Sequence, residues 1–257
     1  MALQMTWLGQ SGLLLEGGGQ AVLVDPWLSD HPDRAVPPPV VRAWPRRIDL
    51  LLITHGHGDH LDLAGIAGLS GATAIAEIVV PAPHLPAVAA GLPDIMRVGT
   101  RPGSRLGRLG GITVLPAWHG VAAADGYDPM IGPDGTSPHV GYAFSLDGTG
   151  IYVSGDTLAH PSLADAVRQI RPSLVFLPVN GRDPAREARG ILGNMTSREA
   201  VEFAVSVGAS TLVPLHYDGV TGNTSDVGEV ARGAHGQPLH LVFPARAFPF
   251  ALGGSST

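Results

Sequence analysis

The residues with the clearest capacity for chemistry lie in the stretch from Ile48 to Asp62. Its first part is a short run rich in leucine and isoleucine, which is typical of a buried strand that leads into a loop. Imidazoles and carboxylates bind zinc, manganese and iron, and glycines let the backbone turn tightly enough to bring such side chains together. Four side chains of these types follow the run within six residues: His55, His57, Asp59 and His60.

The spacing of these four side chains indicates two neighbouring metal ions rather than one. His55 and His57 share one parity and leave the same side of an extended chain, whereas Asp59 and His60 are adjacent and diverge. A polar, glycine-rich loop in which histidines occur by chance is the alternative interpretation. The density of ligand types directly after a buried strand favours metal binding.

The composition of the chain favours a globular protein with a sizeable core. Hydrophobic residues make up 44% and charged residues 15% of the 257 positions, and we predict a single domain over residues 1–257. A net charge of −6 argues against a nucleic-acid surface and leaves a small molecule as the expected partner. Because the chain has no cysteine, any metal must use nitrogen and oxygen ligands.

The amino-terminal residues and the hydropathy bear on location. The first residues lack the charged head and apolar core of a signal peptide, and no apolar run approaches ~18 residues. We therefore predict a soluble, cytoplasmic protein without a membrane span.

Strand-like runs elsewhere in the chain also end in polar residues. The hairpin pattern of residues 13–24 ends at Asp25, and later runs end at His119, Asp156 and His216. Taken singly, Asp25 and Asp156 have ordinary explanations as turn residues. Segments with helical apolar spacing separate several of the runs, and this alternation predicts an α/β layered architecture.

The motif Thr-His-x-His-x-Asp-His at residues 54–60 resembles the signature of the metallo-β-lactamase superfamily, hydrolases with a two-metal site. The similarity extends over nearly the whole chain and implies an αββα sandwich, an α/β fold in which two β-sheets are flanked by helices. It also implies that Asp156 bridges the metals and that Asp25 braces the metal loop, which is the segment of residues 54–60. The implied ligands are His55, His57 and His119 for the first metal and Asp59, His60 and His216 for the second.

The resemblance further implies a metal-dependent hydrolase. We predict two divalent ions per chain, with zinc, manganese and iron as candidates, that lower the pKa of water to about 7. Asp59 and Asp156 are the predicted catalytic carboxylates. His57 occupies a position where the oxygen-reducing di-iron members carry glutamate, which favours hydrolysis. The chain has no Gly-x-Ser-x-Gly or His-Glu-x-x-His motif that would indicate another hydrolase mechanism.

A second stretch, from residue 180 to residue 196, resembles the L-ascorbate-6-phosphate lactonases, members that open a phosphorylated sugar-acid lactone. The guanidinium of Arg182, with that of Arg186 or Arg189, is a candidate clamp for phosphate or another anion. Ion pairs of these arginines with Asp183 and Glu187 are the alternative. The partner predicted from this resemblance is a small, anionic substrate, and the predicted substrate-binding residues are Asn180, Arg182, Arg186, Asn194 and His139.

Other functions stay open at this point. A small or lipid phosphodiester is an alternative substrate, as in phospholipase-like relatives, and a metal-binding protein without catalysis is a third hypothesis. Some lactonase-like relatives form oligomers, so a homo-oligomer is also considered. Residues 121–138 contain several turn residues and are a candidate insertion that gates the site.

Overall fold

The computed structural model describes residues 3–120 and 126–252, which form two seven-stranded β-sheets with helices on their outer faces. The first sheet has the order β16 (Pro249–Ala251), β1 (Gln4–Gly9), β2 (Gly12–Gly17), β3 (Gln20–Val24), β5 (Leu50–Leu52), β7 (Glu77–Pro81) and β8 (Met96–Thr100). The second has the order β15 (His240–Leu241), β14 (Thr211–Leu215), β13 (Leu174–Pro178), β12 (Thr149–Val153), β11 (Val140–Leu146), β10 (Ile112–Pro116) and β9 (Arg105–Leu106). Two short strands, β4 (Arg47–Ile48) and β6 (Ala74–Ile75), pair separately.

The helices are short and lie between the strands in the chain. They are α1 (Leu63–Ser70), α2 (Leu85–Gly91), α3 (Pro161–Ile170), α4 (Pro184–Glu187), α5 (Ser197–Ser206) and α6 (Gly228–Gly233), and a 3₁₀ turn at Ala82–His84 precedes α2. Within the described residues, no helix has both the length and the apolar character needed to cross a membrane.

Both sheets combine an antiparallel part with a parallel part. In the first sheet, β16, β1, β2 and β3 are antiparallel, whereas β3, β5, β7 and β8 are parallel. The second sheet repeats this pattern, with β9 to β12 antiparallel and β12 to β15 parallel. Parallel neighbours need crossover connections, and α1, α3 and α5 occur in these connections.

Alternation of side chains along the strands produces four layers. Leu13 and Leu15 of β2 belong to the apolar core between the sheets, together with Val114 and Tyr142 of the second sheet. Leu14, which points the other way, belongs to a second core that contains residues of α1 and α2. A third core joins the outer face of the second sheet to α3, α5 and α6. The predicted αββα sandwich is confirmed.

Most of the predicted strands and helices are present, but several strands of the structure were not predicted. The hairpin pattern of residues 13–24 is the β2–β3 pair, in which Leu13 lies opposite Val24. β1 and β16 were not predicted, although they pair with each other and place Met5 opposite Phe250. The candidate insertion at residues 121–138 lies partly outside the described residues, which resume at Gly126.

The two sheets are joined by hydrogen bonds at the end of β5. The hydroxyl of Tyr142 in β11 donates to the carbonyl of Ile53 at 2.7 Å, and the N–H of Val140 donates to the carbonyl of Thr54 at 2.9 Å. Tyr142 is fully buried. The loop that begins at Thr54 is therefore held against the second sheet from its first residue.

Candidate metal centre

The loop after β5 and the end of β10 bring three imidazoles together. Nε2 of His55 lies 3.0 Å from Nδ1 of His57, and Nε2 of His119 lies 3.3 Å from the same His57 atom. The three ligand atoms all lie within 4.8 Å of one another. A tetrahedral ion with metal–nitrogen bonds of about 2.0–2.1 Å keeps its ligand nitrogens about 3.3 Å apart. This first group therefore has the spacing of a metal site.

A second group of ligand atoms adjoins the first. Nε2 of His216 lies 3.4 Å from Oδ2 of Asp59 and 3.1 Å from Oδ2 of Asp156. Nε2 of His60 lies 3.7 Å from Oδ2 of Asp59 and 3.3 Å from Oδ1 of Asp156. Oδ2 of Asp156 is also 3.9 Å from Nε2 of His119 in the first group. Asp156 thus lies between the two groups, where a bridging ligand would have to lie.

The residues of the second group fit a metal ion. Among the described residues, the buried atoms Nε2 of His60 and Oδ1 of Asp156 have no hydrogen-bond partner. Leaving a buried polar atom unpaired costs about 1–3 kcal/mol, and a cation between the two atoms would satisfy both. Imidazoles and carboxylates without sulfur suit zinc, manganese or iron.

Asp25, at the end of β3, contacts the metal loop from outside the cluster. Its Oδ1 accepts a hydrogen bond from the N–H of Thr54 at 2.8 Å, and its Oδ2 accepts one from the Thr54 hydroxyl at 2.5 Å. Nδ1 of His60 lies 2.8 Å from Oδ2 of Asp25, and Nδ1 of His55 lies 3.1 Å from Oγ1 of Thr54. When both imidazoles donate from Nδ1, their Nε2 atoms are left as acceptors for a metal.

The turns that carry His119 and Asp156 are joined to each other. The N–H of Trp118 donates to Oγ1 of Thr157 at 2.9 Å, and the N–H of Leu158 donates to the carbonyl of Trp118 at 2.9 Å. The ring of His160 stacks on Trp118, with 4.4 Å between ring centres. These contacts fix the ends of β10 and β12 relative to each other.

Burial keeps the imidazoles of the first group neutral. It lowers the pKa of His55 and of His57 below the ordinary value, and it lowers that of His119 to about 3. Neutral imidazoles are the form that binds a metal, so this group needs no deprotonation at neutral pH.

The second group carries both signs of charge. Burial opposes protonation of His60 and His216, but the carboxylates of Asp156 and Asp59 together outweigh it, raising the pKa of His60 well above its ordinary value and that of His216 to about 9. Burial likewise opposes ionisation of Asp59 and Asp156, but His60 and His216 lower the pKa of both carboxyls. A metal ion that binds here replaces protons.

Sequence analysis missed two residues that contact this cluster. Nε2 of Gln10 donates to Oδ2 of Asp59 at 2.7 Å, yet Gln10 precedes the first predicted strand and no motif marked it. The second residue is His84, at the end of the 3₁₀ turn before α2. A Cβ on Gly56 would lie 2.4 Å from its ring, so that glycine is needed for the metal loop to pass His84. Spacing in the sequence carried no signal for either contact.

A cleft of about 310 Å³ opens onto both groups of ligand atoms. One part of its wall is apolar and is supplied by segments outside the sheets. The polar part of the wall includes His31, Asp33 and Asn223 besides the ligand-type residues. The apolar wall consists of Trp27, Ile191, Leu192 and Val220.

The arginines predicted to clamp an anion do not line this cleft among the described residues. Arg182 forms a two-fold ion pair with Glu199, at 2.7 and 2.8 Å, and also donates to the carbonyl of Asn194 at 3.0 Å. Arg186 pairs with Asp183 at 2.5 Å, as the alternative interpretation expected. Both guanidinium groups thus have partners within the protein.

The other predicted substrate-binding residues lie beneath the cleft surface. Asn180 and Asn194 are buried and bond to each other, and the Asn180 amide also donates to Oδ1 of Asn223 at 2.9 Å. His139 is buried, with its ring centre 5.2 Å from that of His119 and 5.7 Å from that of His55. Asn180 therefore reaches the cleft only through Asn223.

Comparison with known proteins agrees with this geometry. A family model described as the beta-lactamase superfamily domain matches residues 20–217. A UPF0173 metal-dependent hydrolase of Archaeoglobus fulgidus is 31% identical over 219 residues, which cover 84% of each protein. The chain belongs to the metallo-β-lactamase superfamily. Within that superfamily its relatives are metal-dependent hydrolases, and the chain is a metal-dependent hydrolase.

Two solved structures share the fold at low sequence identity. Igni18, a metallo hydrolase from Ignicoccus hospitalis, is 19% identical with a TM-score of 0.69, and the match covers 98% of this chain and 100% of that one. An isothiocyanate hydrolase from Delia radicum gut bacteria is 18% identical with a TM-score of 0.73 and the same coverage. These similarities extend the superfamily fold over nearly the whole of this metal-dependent hydrolase.

Proposed function

We propose that this member of the superfamily is a two-metal hydrolase that opens a small, uncharged lactone or a related ester. The observation that carries the proposal is that one cleft opens onto two adjoining groups of ligand atoms with Asp156 between them. The first metal is assigned to His55, His57 and His119. The second metal is assigned to Asp59, His60 and His216, with Asp156 shared.

Two divalent ions held by these residues would lower the pKa of water and would offset the negative charge that develops on the attacked carbonyl oxygen. The protein residues orient the reaction and move the proton. Asp59 and Asp156 line the cleft. We assign proton transfer to Asp59, because its side chain is 17% exposed whereas that of Asp156 is 5% exposed. Asp59 accepts the proton of the attacking water and returns it to the leaving oxygen.

The cleft wall supports an uncharged substrate. Its volume of about 310 Å³ is at the small end for ligand pockets. The described lining residues include no lysine or arginine, so a phosphate on the substrate would meet no strong cation besides the metals. The apolar wall instead suits the hydrocarbon part of a lactone ring or a short acyl chain.

Turnover of a substrate panel by the wild type and by Asp156→Asn tests the proposal. We expect the wild type, loaded with zinc or manganese, to hydrolyse uncharged lactones faster than a phosphorylated lactone and faster than bis-p-nitrophenyl phosphate. Asp156→Asn should lower kcat/KM by more than about 100-fold, since loss of an outer-shell partner alone costs about 10–100-fold.

The matched control is Asp94→Asn, an exposed aspartate on another part of the chain, which should leave kcat/KM unchanged. Full activity of Asp156→Asn would refute the bridging role. Faster turnover of the phosphodiester would replace lactone opening with phosphodiester hydrolysis, and metal uptake without any turnover would favour a binding protein.

A further inference from the structure

Gln10 lies in the turn between β1 and β2, next to the second group of ligand atoms. The residue is 1% exposed, and its φ of 50° places it in the left-handed region. That conformation is strained for a residue other than glycine. The surrounding structure must therefore hold Gln10 in place, and such residues are frequent at functional sites.

Contacts on both sides fix the orientation of the Gln10 amide. Its Nε2 donates to Oδ2 of Asp59 at 2.7 Å and lies 2.9 Å from Nε2 of His216. Its Oε1 accepts the N–H of Gly219 at 3.1 Å. A reversed amide would set its oxygen against the Asp59 carboxylate and its N–H groups against that of Gly219. A Cβ at Gly219 would lie 2.3 Å from Oε1, so the close approach requires glycine there.

The backbone of Gln10 holds the same group of ligands. Its carbonyl accepts the N–H of His216 at 3.1 Å and the indole N–H of Trp7 at 3.1 Å. His216 also has a left-handed backbone, with a φ of 60°. Its Nδ1 is buried and has no hydrogen-bond partner among the described residues, so His216 lacks the kind of anchor that Asp25 gives to His60.

We infer that Gln10 is a positioning residue for the second metal, and this inference rests on the proposed two-metal function. Its amide holds the Asp59 carboxylate in the orientation that a metal requires, and its backbone does the same for His216. When the imidazole of His216 binds a metal through Nε2, the hydrogen bond to Asp59 remains. Gln10 does not line the cleft among the described residues and therefore acts through Asp59 rather than on substrate.

Stepwise titration of the metal-free protein with cobalt(II) tests this role, since the d–d absorption reports each binding step. Gln10→Ala removes the amide, and Gln10→Met removes it while keeping most of the side-chain volume. In both variants we expect the second binding step to weaken by about 10–100-fold and the first to stay unchanged. The control is Gln4→Ala, an exposed glutamine on β1, which should titrate like the wild type.

Three outcomes would overturn the role of Gln10. The first is an unchanged or tighter second step in Gln10→Ala and Gln10→Met while the wild type still binds two ions; the two-metal function then stands alone. The second is equal weakening of both steps with a lower melting temperature of the metal-free protein, which would indicate a general packing role. Uptake of a single cobalt ion by the wild type would refute both the inference and the two-metal function.

Discussion

One buried carboxylate sets the hydrogen-bond donors of two imidazoles in the metal loop. Asp25 contacts His60 directly and reaches His55 through Thr54. In a carboxylate both oxygens accept, so the neighbouring Nδ1 and hydroxyl groups must donate. The protonation state of the metal-facing nitrogens in the loop thus depends on Asp25, a residue that is not among the proposed metal ligands.

We expect Asp25→Asn to weaken metal binding by about 10–100-fold. The amide oxygen can still accept the Thr54 N–H, but the NH₂ group then faces Nδ1 of His60. This contact forces the proton of the neutral His60 imidazole onto Nε2. An imidazole protonated at Nε2 cannot offer that atom to a metal. Imidazole ¹⁵N spectra report the tautomer and a zinc titration reports the affinity. Unchanged values for both would show that Asp25 only fills space.

Gly155 supports the approach of Asp156 to the metal loop. It has a φ of 62°, and a Cβ there would lie 2.7 Å from Cβ of Thr54. Gly148, in the β11–β12 turn, has a φ of 78° but no atom within 4 Å of such a Cβ. The two glycines share a backbone conformation and differ in the space around them.

Alanine at each position therefore separates backbone strain from crowding. We expect Gly148→Ala to cost about 1–2 kcal/mol of unfolding free energy. Gly155→Ala should cost about 1–3 kcal/mol more, because Thr54 must shift and carries bonds to Asp25 and His55. Urea unfolding of the two metal-free variants measures the difference. Equal losses would contradict the crowding argument.

The sequence predicted ligand types better than it predicted their supporting contacts. Four ligand-type residues lie close together after one strand and match a motif, so His55 to His60 could be found directly. Gln10 and Gly219 meet only because the β1–β2 turn and the loop after β14 fold together. Nothing in the local spacing of either residue encodes that contact.

At the scale of elements, Arg182 contacts the start of α5 rather than the cleft. Thr196 and Glu199 form a capping box at that helix end, and Arg182 binds both carboxylate oxygens of Glu199. The hydrogen bonds from Arg182, followed by those from Thr196, lower the pKa of Glu199 below its ordinary value of 4.5 against the opposing effect of burial. Its stabilising effect is therefore complete above pH 4.5 and is lost as the pH falls through the lowered pKa.

We expect Glu199→Gln to lower the unfolding free energy by about 1 kcal/mol at pH 7. The loss relative to the wild type should shrink as the pH falls from 4.5 through the lowered pKa, below which Glu199 is protonated in the folded wild type too. Urea unfolding at a series of pH values measures this. Arg182→Gln should show a similar loss of unfolding free energy with an unchanged KM. A higher KM for a phosphorylated lactone would instead support the hypothesis that Arg182 binds an anion of the substrate.

The elements were predictable where their patterns were local. The β2–β3 hairpin has a glycine turn between apolar runs, and the capping box of α5 is visible as Thr196 and Glu199. β16 is a short, exposed strand whose pairing partner β1 lies at the other end of the chain. A pairing over that sequence distance leaves no local pattern.

At the scale of the whole molecule, the proposed ligands come from both sheets. His55 to His60 follow β5 of the first sheet, whereas His119, Asp156 and His216 follow strands of the second. Metals bound between them would join the two sheets. Because the unfolded chain lacks this arrangement, binding to the folded state adds to stability.

Removing the metals should therefore lower the melting temperature. At free metal about 100-fold above Kd each bound ion contributes about 2.7 kcal/mol, which corresponds to about 5–10 °C per ion for a chain of this size. Calorimetry with and without EDTA measures the shift, and Asp156→Asn should respond less than the wild type. An equal melting temperature for metal-loaded and metal-free protein would contradict the idea that the metals join the two sheets.

The layered architecture was predictable from the alternation of strands and helices, whereas the substrate wall was not. Trp27, Ile191 and Leu192 come from segments without repeating structure, so neither period nor motif marks them as neighbours. The resemblance to lactonases directed attention to Arg182 and Arg186, which form ion pairs elsewhere. Loop contacts of this kind depend on the complete fold.

The division between strand ends that hold the ligands and loops that wall the cleft has a consequence for evolvability. The hydrogen bonds that fix the metal loop run to Asp25 and to β11, not to Trp27, Ile191 or Leu192. Mutations in those loop residues can accumulate without disturbing the reactive centre. We therefore expect directed evolution confined to Trp27, Ile191 and Leu192 to change the substrate preference while the metal site stays intact.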